Sequence, residues 1–396
     1  MRRCIFLVLI YCFLISCNAQ TIQQSQQLIT YKISDGVGIW EQPGHKLGTI
    51  LFVPGSDGME ASFYCFKNNF CQFKEDRLID PLIVTLLEQG WRVASFSFGG
   101  IKSIQNCLAE NSQQLEKWKY IQEICLQKSD FEKQTLIDFE FDTAEAIRLI
   151  EERFAGPLLL VGDSLGGFLA SKIISQKRAK IDAFIGIASP TKSLQDTILY
   201  QKNYPAIFHA VNELIRSNKQ GRIFSRIEIY NTAKAADPGE VDEFEAQVLN
   251  AIQPAGDKYT KEFFDIVQGW FISRRMDKMK STMTEDWPEN LIFTGTEYQK
   301  RRYLQWSTDT TPISDRLSTF EGPVFFVHGS LDWLAEPPSK DLCNEIFPRS
   351  RYAPCEVRII ENSLHGGRTS NLDEALRWTR EILEVVNKSA QWISHK

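Results

Sequence analysis

The sequence predicts an α/β fold, a mostly parallel sheet flanked by helices, from three observations. Short apolar runs alternate with amphipathic segments up to residue 188 and again after residue 322. This alternation stops over residues 191–319, which are too many for one loop of a compact domain. The apolar run Pro157–Val161 passes through a glycine-flanked serine straight into a helical pattern. We therefore expect a core formed by residues 28–190 and 320–390, with a mainly helical cap, 191–319, inserted after the sixth strand.

The first half of the core is predicted as four strands and one helix. Ile29–Ile33 alternates in polarity and can pair with Val37–Trp40 across an Asp-Gly turn. Leu47–Val53 is an apolar run that ends at proline and glycine, and Trp91–Phe98 is a similar run that ends at two glycines. Between these two strands, apolar residues at helical spacing predict a helix over Arg77–Gln89.

The second half continues the same alternation on both sides of the cap. A long amphipathic helix is predicted over Phe131–Phe154, ahead of the strand that carries the serine. Further strands are predicted at Ile181–Ala188, in the run that starts at Gly322, and at Cys355–Ile360; further helices are predicted at 336–347 and Asn371–Asn387. This order predicts parallel strands with helices on both faces.

The central motif is the segment Gly162-Asp163-Ser164-Leu165-Gly166. A buried strand, a glycine-flanked serine and a helix are the parts of a nucleophile elbow, in which the two glycines, Gly162 and Gly166, permit a very tight turn. The helix that follows favours negative charge at its N-terminus. At these residues the chain resembles the α/β-hydrolase family. The resemblance covers the two core segments, and the cap resembles no family.

The resemblance implies a catalytic triad in the chain order serine, acid, histidine. Ser164 would be the nucleophile, Asp332 the acid that follows a late strand, and His365 the base that follows the last strand. Glu361, four residues before His365, is a competing acid. His328 precedes Asp332 in a His-Gly turn that is frequent in the family, and we interpret it as structural.

The resemblance also implies an oxyanion hole made of two backbone amides. One is the amide of Leu165, directly after the nucleophile, and the other maps to Ser56. Family members commonly have histidine before the glycine at this strand end, whereas this chain has Pro54 before Gly55. The glycine is kept, so the backbone can still direct an amide towards the elbow.

The N-terminal segment predicts export. Residues 1–19 combine a basic start, an apolar core and a small-residue end, which is typical of a secretory signal peptide cut after Ala19. The segment that ends at Cys17 also resembles a bacterial lipobox, in which the cysteine is lipidated. We expect a secreted or periplasmic protein, and contact with a membrane only through a lipid anchor at Cys17.

The cysteine count is consistent with export. Six cysteines follow the signal region, and an even number in an exported chain predicts disulfides. Fifteen connectivities are open. Pairing of near neighbours would give Cys65–Cys71, Cys107–Cys125 and Cys343–Cys355.

Composition and charge argue against two classes of function, nucleic-acid binding and metal-dependent catalysis. The net charge is −5 without a basic cluster, which argues against a nucleic-acid partner. None of the five histidines has metal-ligand spacing, so we expect no metal and no cofactor. The sequence thus predicts an exported serine hydrolase acting on a small ester with an apolar moiety. A peptidase, an amidase or a thioesterase with the same triad remains an alternative, as does a non-catalytic binding protein on this scaffold.

Overall fold

A computed structural model describes the following residues of the chain: 27–31, 37–41, 47–56, 72–74, 77–79, 81–101, 128–203, 224–225, 228, 258–259, 305–306, 308–330, 332, 334–347, 353–361, 363, 365–367 and 372–395. The predicted signal segment, Cys17, the pairs Cys65–Cys71 and Cys107–Cys125, and most of the predicted cap lie outside the described residues.

The main sheet has eight strands in the order β1-β2-β6-β3-β7-β8-β11-β12. Six of them, from β6 to β12, run parallel, and the hairpin β1-β2 pairs antiparallel at one edge. The bounds are Gln27–Tyr31 (β1), Val37–Glu41 (β2), Gly48–Val53 (β3), Trp91–Phe96 (β6), Leu158–Asp163 (β7), Ala183–Ile187 (β8), Val324–Gly329 (β11) and Cys355–Ile360 (β12). The predicted parallel α/β sheet is confirmed.

Every residue of the five strands β3, β6, β7, β8 and β11 is buried. This explains their continuous apolar runs, since helices cover both faces of a parallel sheet. Two further pairs of short strands lie outside the main sheet: Gln72–Lys74 (β4) with Arg77–Ile79 (β5), and Phe224–Ser225 (β9) with Lys258–Tyr259 (β10).

Helices pack on both faces of the sheet and enclose two apolar clusters. On one face lie α1 (Pro81–Glu88) and α8 (Leu372–Ser394), which contribute Leu86, Trp378 and Val385 to the cluster. On the other face lie α3 (Leu136–Arg153) and α4 (Leu165–Ser175), with Phe139 and Phe168 fully buried. The sheet is therefore packed between two layers of helices.

Both ends of the predicted cap pack against this core. Leu194 and Ile198 of α5 (Leu194–Asn203) are buried in the same cluster as α4. Ile313 and Leu317 of α6 (Ile313–Leu317) are fully buried there as well. The segment 191–319 thus leaves and re-enters the core through packed helices.

Several helices differ from the prediction because of local capping. The single helix expected over Phe131–Phe154 is divided into α2 (Lys128–Lys133) and α3, since Thr135 caps α3. Its hydroxyl accepts a hydrogen bond from the amide of Asp138, whose carboxylate accepts one from the Thr135 amide in return. This reciprocal capping box starts a new helix at Leu136.

Prolines and strand pairing account for the other differences. The helix expected from Arg77 begins only at Pro81, which suits the first helical position, while Arg77–Ile79 pairs as β5. The helix expected over 336–347 is reduced to α7, Leu342–Ile346, because Pro337 and Pro338 disfavour a helix before it. The last helix, expected to end at Asn387, continues to Ser394.

The expected bridge between Cys343 of α7 and Cys355 of β12 is present, with an S–S distance of 2.10 Å. The bridge links the edge strand β12 to α7, which packs in the same helical layer as α4. Within the described part of the chain, no helix is both long and apolar enough to cross a membrane.

Candidate active site

Ser164 occupies a sharp turn between β7 and α4. Its backbone has φ 50° and ψ −120°, a conformation that costs a non-glycine residue on the order of 1–3 kcal/mol. The surrounding backbone holds it there, since the Ser164 amide donates a hydrogen bond to the carbonyl of Ile187 at 2.8 Å. A serine in such a turn has its side chain lifted out of the sheet at the end of a central strand.

The two elbow glycines are required by close backbone contacts. A Cβ on Gly162 would lie 2.3 Å from the Cα of Gly167, inside the turn itself. A Cβ on Gly166 would lie 2.1 Å from the carbonyl oxygen of Val53 and 2.6 Å from that of Pro54. The end of β3 therefore packs directly across the elbow.

Asp332 and His365 form a buried pair. Nδ1 of His365 donates to the carboxylate of Asp332, at 2.7 Å from Oδ2 and 2.9 Å from Oδ1. The amides of Leu334 and Ala335 each donate to Oδ1 at 2.9 Å, so the carboxylate is fixed in one orientation. Glu361, the competing acid, has an exposed position and does not contact this histidine in the described structure.

The environment keeps Asp332 ionised. Burial alone would raise its pKa, but the charge of His365, the hydrogen bond to that ring, the electrostatic effect of His328 and the Ala335 amide together outweigh burial and lower the pKa. With Nδ1 of His365 as the donor, a neutral ring has its lone pair on Nε2. That atom is buried and has no hydrogen-bond partner within the described residues, Ser164 included.

Two further contacts place the histidine turn and the β3 end beside the nucleophile. Asp163 directly precedes Ser164, and its Oδ1 lies 3.2 Å from the position of a Cβ on Gly366, the residue after His365. Its Oδ2 lies 3.0 Å from the corresponding position on Gly55, which is itself 3.3 Å from the Cβ of Ser164. The Asp163 carboxyl thus separates the two segments that flank the nucleophile.

A serine at a strained elbow on a central parallel strand, with an Asp–His pair following two later strands, is the decisive observation. The chain has the α/β-hydrolase fold. Parallel strands end at the same edge of a sheet, so the ends of β3, β7, β11 and β12 place Ser56, Ser164, Asp332 and His365 at one edge of this hydrolase fold.

Comparison with known proteins finds distant structural similarity only. Models of protein families do not match the sequence, and neither do curated proteins. Solved structures similar to the chain include a carboxyl esterase from Bacillus coagulans, with 14% identity over 92% of this chain and 99% of the other and a TM-score of 0.47. An esterase from Pyrococcus furiosus has 11% identity over 94% of each chain and a TM-score of 0.42. Carboxyl esterase 2 from Tuber melanosporum has 10% identity over 93% and 86%, with a TM-score of 0.45.

The predicted oxyanion donors lie on either side of the serine in this hydrolase fold. Leu165 is the first residue of α4, where a helix amide has no acceptor within the helix. Ser56 follows Gly55 at the end of β3 and is half-buried. Leu165 thus offers a helix amide, and Ser56 offers the amide of a turn that follows β3; backbone amides of this kind can stabilise a developing negative charge.

The segment that carries Asp332 accepts two further hydrogen bonds, which sequence patterns did not indicate. The hydroxyl of Tyr200 in α5 donates to the carbonyl of Asp332 at 2.9 Å, and Nε2 of Gln201 donates to the carbonyl of Leu334 at 2.6 Å. These residues come from the helix that leads into the predicted cap. Within the described residues no group of three or more His, Cys, Asp or Glu side chains has the arrangement of a metal site.

Proposed function

We propose that this protein is a serine hydrolase that cleaves carboxylic esters through an acyl-enzyme on Ser164. The observation that carries the proposal is the buried Asp332–His365 pair at the edge of the sheet where the strained Ser164 elbow lies. A serine hydroxyl needs a base within reach, and the base needs an acid to orient it. The chain provides all three types of group, in the order that the hydrolase fold uses.

The reaction follows from these roles. Nε2 of His365 accepts the proton of the Ser164 hydroxyl while Oγ forms a bond to the ester carbonyl carbon. The amides of Leu165 and Ser56 donate to the oxyanion, and Asp332 stabilises the imidazolium. When the intermediate collapses, the C–O bond to the alcohol breaks and His365 returns the proton to the leaving oxygen. Water then repeats the sequence on the acyl-enzyme and releases the acid.

We further propose that the substrate is a small ester with an apolar acyl or alcohol part. The predicted cap, 191–319, is rich in aromatic residues, and both of its ends pack on the core beside α4. An ester is favoured over an amide because an alcohol leaves more readily than an amine once the tetrahedral intermediate has formed. A panel of esters of increasing chain length, with matched amides and thioesters, tests this choice.

Export is the third part of the proposal. The Cys343–Cys355 bridge supports it, since disulfides persist mainly in oxidising compartments. Mass spectrometry of the mature protein tests it directly. An N-terminus at Gln20 would support secretion, a diacylglycerol adduct on Cys17 would support a lipid anchor, and an intact residue 1 on the protein from its native cell would contradict both.

The central test is labelling with a fluorophosphonate, followed by mapping of the modified residue. Wild-type protein should be modified at Ser164, and Ser164→Ala should lose both labelling and ester turnover while folding normally. Ser175→Ala is the matched control, because Ser175 is an exposed serine of the same helix α4. Labelling at another residue, or turnover by Ser164→Ala, would contradict the mechanism. A folded wild-type protein that is not labelled would favour the binding-protein alternative.

A further inference from the structure

A second histidine, His328, lies beside the proposed triad acid. It is the fifth residue of β11 and is fully buried. Its Nε2 lies 2.9 Å from the backbone carbonyl of Ser189. A carbonyl can only accept a hydrogen bond, so this contact assigns the proton of a neutral His328 ring to Nε2 and leaves Nδ1 with its lone pair.

The unprotonated nitrogen faces the catalytic carboxylate. Nδ1 of His328 lies 3.5 Å from Oδ2 of Asp332, the oxygen that is 2.7 Å from Nδ1 of His365. Within the described residues this Nδ1 has no hydrogen-bond partner. The two oxygens of Asp332 are therefore used differently. Oδ1 accepts from two backbone amides and lies 2.9 Å from Nδ1 of His365, whereas Oδ2 lies nearer to that donating ring, at 2.7 Å, and also faces the His328 ring, which does not donate.

The surroundings keep His328 neutral. Burial lowers the pKa of its ring, and the charge on His365 acts in the same direction. The negative charge of Asp332 and the hydrogen bond to Ser189 act in the opposite direction without overcoming burial. Asp332 and His365 are the titratable groups that face this ring in the described structure. A neutral His328 cannot place a proton on Oδ2 while Ser189 holds its only N–H.

The other end of this contact reaches the nucleophile. The hydroxyl of Ser189 donates to the carbonyl of Gly162 at 3.1 Å, at the start of the elbow. A Cβ on Gly167 would lie 1.9 Å from the same hydroxyl oxygen, so the elbow helix packs directly on Ser189. Buried hydrogen bonds thus connect His328 through Ser189 to the turn that carries Ser164.

We propose that His328 is a positioning residue of the triad: held by its hydrogen bond to Ser189 beside the elbow, it presents a lone pair to Oδ2 of Asp332 and so leaves His365 as the only ring that donates to that oxygen. The role rests on the proposed function of Ser164, Asp332 and His365. A donor in place of the His328 lone pair would share the charge of Oδ2, so Asp332 would stabilise the His365 imidazolium less. The base would then be weaker, and the reaction slower.

Two substitutions separate this role from simple packing. In His328→Asn the amide nitrogen lies near the Nδ1 position and can donate to Oδ2. In His328→Gln the amide nitrogen reaches the Nε2 position and can keep the bond to Ser189 without a donor facing Asp332. His395→Asn is the matched control, because His395 is exposed near the end of the chain, outside the site.

The measurement is the rate of Ser164 labelling by a fluorophosphonate between pH 5 and 9, which requires no knowledge of the substrate. The fall of the labelling rate on the acid side of this profile, its acid limb, reports protonation of the proposed base, His365. His328→Asn should move this limb to lower pH by about one unit, the size of effect expected for one hydrogen bond to a charged group, and should lower the plateau rate. His328→Gln and His395→Asn should keep the wild-type limb. A lower plateau with an unmoved limb in His328→Asn would overturn the proposal.

Nitrogen-15 NMR of histidine-labelled protein gives a readout that is independent of activity. One ring should carry its proton on Nε2 and remain neutral from pH 8 to pH 7, and its signals should be absent from His328→Gln. If that ring carries a proton on Nδ1 in this range, the proposal fails whatever the labelling shows. Absence of labelling in folded wild-type protein would overturn the proposed function as well as the positioning role, whereas an unmoved limb overturns the positioning role alone.

Discussion

Nδ1 of His365 lies 2.7 Å from Oδ2 of Asp332, although the two residues are separated by 33 positions in the chain. They meet because β11 and β12 are neighbouring parallel strands, and each residue follows the end of its strand. The amides of Leu334 and Ala335 fix the carboxylate from the other side. The Asp332 carboxylate that orients the imidazole is thus held by backbone amides just beyond the end of β11.

Replacing Asp332 should remove most of the catalytic rate. In Asp332→Asn the amide cannot stabilise the imidazolium, and it can favour the wrong tautomer of His365. If the proposed mechanism holds, a loss of about 10⁴-fold in kcat is expected, as for the equivalent change in a serine protease with an Asp–His–Ser triad. Steady-state kinetics on an ester measures it. Glu361→Gln is the control, since Glu361 is exposed, and equal losses in the two variants would contradict the assignment of the acid.

Stability should fall as the pH is lowered, and His328 should contribute to this fall. Burial lowers its pKa from the ordinary 6.5, so the folded protein binds fewer protons than the unfolded chain below that pH. The contribution is fully present above about pH 6.5 and is lost as the pH falls towards the folded pKa. The free energy of unfolding, measured with urea at each pH, should change less steeply with pH in His328→Gln than in wild type. The difference should be at most about 1.4 kcal/mol per pH unit. Equal slopes would mean that the ring titrates normally.

Asp332 acts in the same direction at lower pH. Its pKa is lowered from 3.8 against the opposing effect of burial, so its contribution to stability is present above that value. It is lost as the pH falls through the folded pKa. The same urea series, extended below pH 4, should show a further loss in wild type that Asp332→Asn lacks.

Gly166→Ala should damage both the elbow and the oxyanion hole. The added Cβ would lie 2.1 Å from the carbonyl oxygen of Val53, which is backbone and must shift. Such overpacking costs about 1–3 kcal/mol, and displacement of the β3 end would move the Ser56 amide. The labelling rate should fall by about 10²-fold or more, the usual effect of losing one oxyanion donor. Ser175→Ala on the same helix serves as control, and wild-type labelling by Gly166→Ala would exclude the close contact.

Reduction of the Cys343–Cys355 bridge should destabilise the fold. The bridge closes a short loop of 12 residues between α7 and β12, and a cross-link of this kind contributes about 2–4 kcal/mol. Urea unfolding with and without reductant measures the difference. The double variant Cys343→Ser/Cys355→Ser should unfold at the same urea concentration as reduced wild-type protein. Reductant should not lower that midpoint further through this pair. A peptide map of the unreduced protein without the linked fragment would contradict the bridge.

The parallel sheet could be predicted from the sequence because five of its strands are buried on both faces and read as continuous apolar runs. Helix boundaries were less predictable, since they depend on single caps. Thr135 and Asp138 end one helical pattern and begin another, and an apolar period does not register that break. Pro337 and Pro338 similarly shorten α7, and a strand, Arg77–Ile79, lies where apolar spacing indicated a helix.

In the candidate site too, some features could be predicted from the sequence and others could not. Ser164, Asp332 and His365 were identifiable because each follows a strand in a motif of the hydrolase family. The Ser189–His328 contact and the Tyr200–Asp332 hydrogen bond were not identifiable, because they join residues 139 and 132 positions apart. The contact of the Asp163 carboxyl with Gly55 and Gly366 likewise emerges only from the structure. Such contacts arise from strand order, which a single sequence does not encode locally.

The position of β8 in the sheet has a consequence for synthesis of the chain. β8 pairs on one side with β7, which is made shortly before it, and on the other with β11, which begins 137 residues after β8 ends, counting from Ile187 to Val324. Until β11 emerges from the ribosome, the main-chain groups on one side of β8 have no partner, and unpaired edges promote aggregation. Ser164 is likewise made long before His365. Under the proposed mechanism, a growing chain therefore carries an inert serine until the last two strands join the sheet.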